Sequence, residues 1–334
     1  MEQETAVLAP SAQAVAGPRA TEFCCPRCEG RPPLDRVDQA LVCASCGTPY
    51  PIVRGIPVLI NDDNSVFAVS DYESSEVYRG DGYGTSTDSA SKLRSAYHRF
   101  AGFFLNFAIK RRHLDAEKAL ESITAELPDA RILVIGAGDA IYEGEVDYVY
   151  TDVAFSRNAV CICDAHDLPF ADAHFDAVVA VAVMEHVIDP PRCVAEIHRV
   201  LKPRGYVYAA TPFMQPVHMG AYDFTRYSYL GHRRLFRWFD DIESGVALGP
   251  GAAASYALQY LPLCFSDNGT YRRIVRLLAL IAATPLKLLD HFTFNKKASY
   301  DMAGGVFFFG RRRSAPISDR EMIRNYRGAI RKGA

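Results

Sequence analysis

The stretch Arg131-Ile132-Leu133-Val134-Ile135-Gly136-Ala137-Gly138 decides the fold. An apolar run ending in a glycine turn describes a strand buried on both faces, which belongs in a covered parallel sheet. Working outward, similar runs recur at α/β spacing over Asp147–Tyr150, Ala159–Cys163, Phe175–Val181 and Gly205–Ala210. A helical pattern over Cys193–Leu201 precedes the last of them. Asp240–Leu248 and Gly304–Gly310 are candidates for a sixth and a seventh strand, with residues 251–292 as a helical insertion between them. The expected class is α/β: a mostly parallel seven-stranded sheet with helices on both faces.

Upstream of this pattern stand two C-x₂-C knuckles, Cys25-Pro26-Arg27-Cys28 and Cys43-Ala44-Ser45-Cys46, fourteen residues apart. Each knuckle turns two sulfurs toward one point, and two knuckles complete a tetrahedron around Zn²⁺. A module of roughly 40 residues buries too little apolar surface to fold alone, so a structural metal is expected. Disulfides are the competing reading. Residues 1–20 lack a basic start followed by a compact apolar run, so no secretory signal is read and a cytoplasmic, reducing location is expected. Cys24 reads as a spare thiol beside a ligand.

The chain has 334 residues, 49% of them apolar, and a net charge of −2. The charge is unevenly distributed. The first 190 residues carry 15 Lys/Arg against 29 Asp/Glu, and the remainder 22 against 10. A basic second half fits an anionic partner, or else the two halves complement each other within one fold. The longest apolar stretch, Ile274–Leu289, is interrupted by Arg276, Pro285 and Lys287, which excludes a membrane span and leaves a lid helix or one lying on a membrane surface. The expected organisation is a disordered 1–21, a zinc ribbon over 22–62, a linker or lid over 63–90, an α/β domain over 91–312, and a basic tail over 313–334. The segment from Ser91 to Leu127 reads as helical, with Tyr97, Phe100, Phe103, Phe104 and Phe107 in its first part.

The ribbon's continuation, Tyr50-Pro-Ile-x₂-Gly55-Ile56-Pro57-Val58-Leu59, following a CPxC and a CxxCG pair, resembles the Trm112-like zinc ribbons over residues 23–62. Members of that family act as companions of methyltransferases. The resemblance implies a companion supplied in cis, with Ile56–Ile60 as an extended apolar strand seeking a sheet edge.

Past the glycine turn, Asp152 ends the second strand, where a carboxylate can take ribose hydroxyls. Asp164-Ala165-His-Asp-Leu-Pro-Phe170 follows the third, Phe175-Asp-Ala-Val opens the fourth, and Val183-Met-Glu185-His186-Val187 follows it. Glu196-Ile-His-Arg-Val-Leu-Lys202-Pro-Arg-Gly205 leads into the fifth. A nicotinamide enzyme would want G-x-G-x-x-G, which this loop lacks. The ordered series over about residues 130–250 resembles the class I, Rossmann-like S-adenosylmethionine-dependent methyltransferases of the methyltransferase-11 type. The resemblance implies S-adenosylmethionine held by Gly136, Ala137, Gly138, Asp152, Asp164 and Ala165. This chain departs from the pattern twice. Val134 stands where an acid is frequent, and the stretch from Gly138 to Asp152 leaves little room for a first helix. Some relatives with E-x₂-E-H after strand four hold a divalent cation. Ala182 replaces the first glutamate here, so the resemblance does not extend to a second metal.

The loop after the fifth strand, Thr211-Pro-Phe-x₂-Pro-x-His218-x₃-Tyr222-Asp223-Phe224-Thr-Arg226-Tyr227, gathers the substrate-side candidates, since ligands bind at the carboxyl ends of such strands. It is similar to a methyltransferase subgroup linked to glycan assembly. His218 is the first candidate for a base, with Asp223 orienting it or the substrate; His186 is second, although packing beneath the cofactor is its preferred reading. Arg226 suits a phosphate or carboxylate, or pairs with Asp223. Tyr222 and Tyr227 can stack on a sugar, or pack. The resulting expectation is O-methylation of a small or carrier-linked, sugar-containing hydroxyl compound, with peripheral membrane contact and no nucleic-acid surface. The rivals are an RNA or protein methyltransferase recruited through the ribbon, and a non-catalytic binding module.

Overall fold

A computed structural model describes residues 23–73, 114–144 and 146–329. The expected disordered start, the later part of the linker or lid, the aromatic segment 97–107 and the last five residues lie outside the described residues.

Among the described residues, eleven strands form one sheet in the order β1-β2-β3-β4-β7-β6-β5-β8-β9-β11-β10. The ribbon supplies β1 (Leu34–Val37), β2 (Ala40–Cys43), β3 (Pro49–Val53) and β4 (Ile56–Leu59). Successive ribbon strands pair antiparallel. The two-residue link Arg54-Gly55 has positive φ at both positions, 54° and 82°, the geometry whose twist suits a tight hairpin. The α/β part supplies β5 (Arg131–Ile135), β6 (Asp147–Asp152), β7 (Cys161–Cys163), β8 (Phe175–Val181), β9 (Leu201–Pro212), β10 (Phe239–Leu248) and β11 (Gly305–Arg312). These are the seven expected strands. The first five run parallel, and β11 is antiparallel to both of its neighbours.

Alternation along the strands divides the core between the two faces. Ile132, Ala177 and Val179 face Ala119, Leu120 and Ile123 of α2 (Ala116–Glu126), while Leu133, Val178 and Ala180 face Cys193, Val194, Ile197 and Val200 of α3 (Pro190–Val200). Both helices start on an aspartate: the side chain of Asp115 accepts from Lys118 N–H and that of Asp189 from Arg192 N–H, and prolines fill the first turn of α3. The short connection from β5 to β6 contains no helix among its described residues, as its length implied.

The ribbon joins this body through β4, which runs parallel to β7 with Val58 opposite Ile162 and Leu59 opposite Cys163. Phe23, Leu34, Leu41, Tyr50 and Leu59 belong to the same apolar cluster as Leu133 and Ile197. Arg31 reaches across to Asp167 (2.9 Å) and Glu196 (3.1 Å). The chain after β4 continues along the body into the short helix α1 (Val69–Glu73), and Tyr72 donates its hydroxyl to the carbonyl of Val153 at 2.6 Å.

Between β9 and β10 lies α4 (Tyr229–Leu235). The insertion follows β10 as α5 (Pro250–Tyr260), α6 (Gly269–Ala283) and α7 (Asp290–Thr293) with 3₁₀ turns between them. Asp290 accepts from the N–H groups of Gly251 (2.7 Å) and Ala252 (3.1 Å), so the far end of the insertion caps its own first helix. The terminal segment read as a basic tail packs on the body instead: Ile317 and Met322, the latter on α8 (Asp319–Arg324), are buried. Arg327 donates to the carbonyl of Ser244 at 2.7 Å.

Candidate active site and thiolate centre

Two knuckles on opposite sides of β1 and β2 bring the sulfurs of Cys25, Cys28, Cys43 and Cys46 within 4.8 Å of one another. The Cys25–Cys46 and Cys28–Cys43 separations are both 3.8 Å. A tetrahedron with metal–sulfur bonds of about 2.3 Å has edges of about 3.8 Å, so the donor set fits Zn²⁺. Two further groups approach the cluster: the Tyr50 hydroxyl lies 3.3 Å from Cys25 Sγ and Thr48 Oγ1 lies 3.1 Å from Cys46 Sγ. Hydroxyls so placed can donate to thiolates and orient them.

At the carboxyl tips of β5, β6 and β7 a narrow cavity of about 90 Å³ is lined by Gly136, Asp152, Asp164, Ala165, Val183, Val187 and, from the ribbon's continuation, Val66 and Phe67. Gly136 has φ 61°, and a Cβ there would lie 2.7 Å from Val183 Cγ2, so both its backbone and its surroundings require glycine. Ala137 and Gly138 shape the turn rather than line the cavity. The Ala137 N–H donates to the Thr151 carbonyl (3.0 Å) and the Gly138 N–H to Asp152 Oδ2 (2.7 Å). Asp152 Oδ1 accepts from Ala154 N–H at 2.9 Å. Asp164 accepts the Ser65 hydroxyl at 2.5 Å on Oδ2 and the His166 N–H at 3.0 Å on Oδ1. The His166 ring is fixed as well. Its Nε2 accepts from Asp189 N–H (3.0 Å), leaving Nδ1–H to donate to Asp164 (2.5 Å). Asp152, Asp164 and the Gly136 turn could hold the ribose and adenine ends of a nucleoside. The volume is well below the roughly 300 Å³ of small-molecule pockets, so the wall carrying Ser65 and Phe67 must part for a nucleoside to enter.

A second cavity of about 590 Å³ opens beyond the tips of β8, β9 and β10, lined by Glu185, Thr211, His218, Tyr256 and Lys287 among others. Ala182 lines both cavities, with φ 54° at the end of β8. That left-handed turn aims the following residues inward, a strain kept at ligand sites. The loop after β9 is fastened to this turn, because Phe224 N–H donates to the Glu185 carbonyl at 2.8 Å.

There the structure brings His186, His218 and Asp223 together. His186 Nδ1 donates to the Tyr222 carbonyl (2.7 Å), and the Nε2 atoms of His186 and His218 lie 3.1 Å apart. His218 Nδ1 faces Asp223 Oδ2 at 3.3 Å, and its backbone N–H donates to the same oxygen at 2.9 Å. Burial opposes the Asp223 charge, yet the Arg226 fork and the His218 N–H hold its carboxyl at about 2. Burial lowers His186, against the pull of the Tyr222 carbonyl.

Arg226 is spent within the loop. Its five donors go to Asp223 twice and to the carbonyls of Gln215, Pro216 and Thr225. Tyr222 stacks on Phe67 (5.5 Å, 12°) at the narrow cavity, and Tyr227 packs against the main core, lining neither cavity.

Three groups escaped the sequence reading of the site. Glu185 is 0% exposed, neither carboxylate oxygen has a hydrogen-bond partner, and burial pushes it up to about 7. Lys287, lowered by burial, lies 5.5 Å from the Tyr256 ring on the cavity wall. Ser65 and Phe67 lie in a polar loop whose sequence carries no binding signal. For Glu185 a signal existed, an acid directly beside a candidate histidine.

The sheet, the glycine turn and the acids at its strand tips define a Rossmann-like class I methyltransferase fold joined to a small thiolate ribbon. Comparison with known proteins agrees: residues 142–209 match the family model described as methyltransferase domain, and residues 23–55 that described as Trm112p-like protein. The chain thus resembles the Trm112-like family over one segment and the methyltransferase domain over another, in that order. Among curated relatives, the biotin biosynthesis bifunctional protein BioHC of Cellvibrio japonicus is 28% identical over 149 residues, covering 39% of this chain and 30% of its own length. The ubiquinone/menaquinone biosynthesis C-methyltransferase UbiE of Desulfotalea psychrophila is 48% identical over 44 residues, 13% of this chain and 18% of the relative. The chain therefore spans less than a third of the length of either. Similar solved structures include a chain from the complex of the Haloferax volcanii Trm112 methyltransferase activator, at 16% identity over 67% of this chain and 96% of that one, with a TM-score of 0.37. Another is the phosphoethanolamine N-methyltransferase 2 of Haemonchus contortus with S-adenosyl-L-methionine, at 18% identity over 68% and 59%, TM-score 0.38.

Proposed function

We propose that the protein is an S-adenosylmethionine-dependent methyltransferase acting on a hydroxyl of a small or carrier-linked, sugar-containing acceptor. The observation that carries this reading is the meeting of the two cavities at Ala182. Acids and glycines suited to a nucleoside stand on one side, and a roomy cavity with proton-accepting groups stands on the other. When bound, S-adenosylmethionine supplies a methyl group on a positively charged sulfur. Asp152 and Asp164 orient the nucleoside, and the Gly136 turn lets it approach the backbone. His218 Nε2 accepts the hydroxyl proton while Asp223 holds the ring from Nδ1, and the cavity wall positions the hydroxyl for in-line attack. Zinc held by Cys25, Cys28, Cys43 and Cys46 would fix β4, and through it the wall bearing Ser65 and Phe67.

Lys287 on the cavity wall supports an anionic acceptor, such as a phosphate-bearing one. The insertion beside it exposes Ile274, Leu278, Ile281, Leu288, Leu289 and Phe292, with Arg273, Arg276, Lys296 and Lys297 also exposed. An apolar face with basic flanks suits an anionic lipid surface, from which a lipid-carried acceptor would be met. No helix among the described residues is long and apolar enough to cross a membrane.

Calorimetric titration with S-adenosylmethionine tests the reading. Wild-type protein should bind one equivalent, and Asp152→Asn, confirmed folded by circular dichroism, should bind more weakly. Absence of binding by folded, zinc-loaded wild type would overturn it.

A further inference from the structure

Three potential metal-ligand atoms converge beside Ala182. His186 Nε2 and His218 Nε2 are 3.1 Å apart. Glu185 Oε1 lies 3.7 Å from the first and 3.9 Å from the second. The His186 Nδ1–H is committed to the Tyr222 carbonyl, which leaves its Nε2 lone pair for a ligand, and with Nδ1–H turned to Asp223 His218 presents its Nε2 in the same way. The carboxylate beside them is fully buried and has no hydrogen-bond partner on either oxygen. A buried carboxyl group with no hydrogen-bond partner is destabilising unless a cation answers it. A native fold retains such an arrangement where something positive fills the gap.

We infer that Glu185, His186 and His218 form a binding site for one divalent cation, distinct from the ribbon's thiolates. The spacing suits it. Donors about 2.1 Å from a common centre stand about 3.0 Å apart when cis in an octahedron and about 3.5 Å in a tetrahedron, close to the 3.1–3.9 Å observed. Two imidazoles and one carboxylate on one face select a borderline transition-series ion and leave the opposite positions open. Both rings carry the outer partners that metal-binding histidines require, the Tyr222 carbonyl and the Asp223 carboxylate. Arg226 therefore acts indirectly: by clamping Asp223 and three loop carbonyls, it positions His218.

The absence of a glutamate at position 182 argued from sequence against a metal here. The geometry explains why one is not needed, since His218 arrives from the loop after β9 and takes the third position.

Glu185 and His218 line the large cavity and His186 the narrow one. The open positions thus face the acceptor, and an oxygen ligand on it, hydroxyl or carboxylate, would complete the shell. That use of the site rests on the methyl-transfer reading, and with a cation bound His218 serves as a ligand rather than as the proton acceptor. Binding of the cation itself does not depend on that reading.

The test is titration of the full, zinc-loaded protein with Mn²⁺, followed by electron paramagnetic resonance without any nucleoside. One Mn²⁺ per chain is expected, and pulsed measurements on the wild type should show two directly bound imidazole nitrogens. Glu185→Gln and His218→Gln should each weaken binding by roughly tenfold to a hundredfold or more. The ribbon's zinc content should not change. Wild-type protein that binds no Mn²⁺, or binds it without nitrogen coupling, would overturn the site. So would folded variants that bind as well as the wild type. Titration of the same preparation with S-adenosylmethionine reports separately on the proposed function.

Discussion

His232 is sealed in the core beside Phe236, with its Nε2 lacking a hydrogen-bond partner. Burial, reinforced by Arg233, lowers it to about 3. The unfolded chain would take up a proton on this ring near pH 6.5, whereas the folded chain does so only near 3. Between those values the unfolded state binds more protons, so stability is complete above about pH 6.5 and falls as the pH drops toward 3. The slope is at most about 1.4 kcal/mol per pH unit from this residue. Denaturant titrations at several pH values should show that loss, and His232→Leu should flatten it. A second prediction concerns Arg226. Because its donors are spent on the loop, Arg226→Lys should lower kcat strongly while leaving the affinity for S-adenosylmethionine within about threefold, since lysine cannot reproduce the fork. Equal losses in both would mean that the loop also shapes the nucleoside site.

The strands of the parallel sheet were legible because each is an apolar run closed by glycine or charge, as in Arg131–Ile135 and Phe175–Val181. β9 begins at Leu201, ahead of the expected Gly205, because Leu201 pairs with Phe175 before a register shift that no local pattern announces. The site was half legible. His186, His218 and Asp223 were singled out, but their convergence with Glu185 depends on a loop stapled across 30 and more residues. Ser65 and Phe67 gain a role only through β4, whose pairing hangs their loop over Asp164. Replacing Cys43 and Cys46 with serine should therefore reach beyond the ribbon: with β4 loosened, the wall bearing Phe67 can no longer settle over a bound nucleoside, and S-adenosylmethionine affinity should fall by roughly tenfold, readable by calorimetry. On the insertion, Ile274→Ser with Leu278→Ser should cut sedimentation with acidic vesicles by roughly tenfold or more. Unchanged sedimentation would sink the membrane-facing reading.

At the level of the whole molecule, ribbon and enzyme body share one apolar cluster, so neither should melt alone. Leu59, fully buried at the junction, makes the point testable. Leu59→Ala should cost about 2–5 kcal/mol and move a single calorimetric transition downward rather than split it in two. The uneven charge seen in the sequence finds a partial explanation here. Basic Arg31, Arg192 and Arg199 answer the acids Asp167, Asp172 and Glu196, linking the acidic first half with the basic second. Most of the remaining basic surplus lies from β11 to the end of the chain, with Arg311, Arg312 and Arg313 at its start.

The parallel contact between β4 and β7 holds two partners encoded on a single chain. Carried on one chain, the ribbon cannot be lost on dilution, and it is always present in equal number with the body it pairs with. By the same token it cannot be lent out: every copy is made already committed to the one sheet edge it completes.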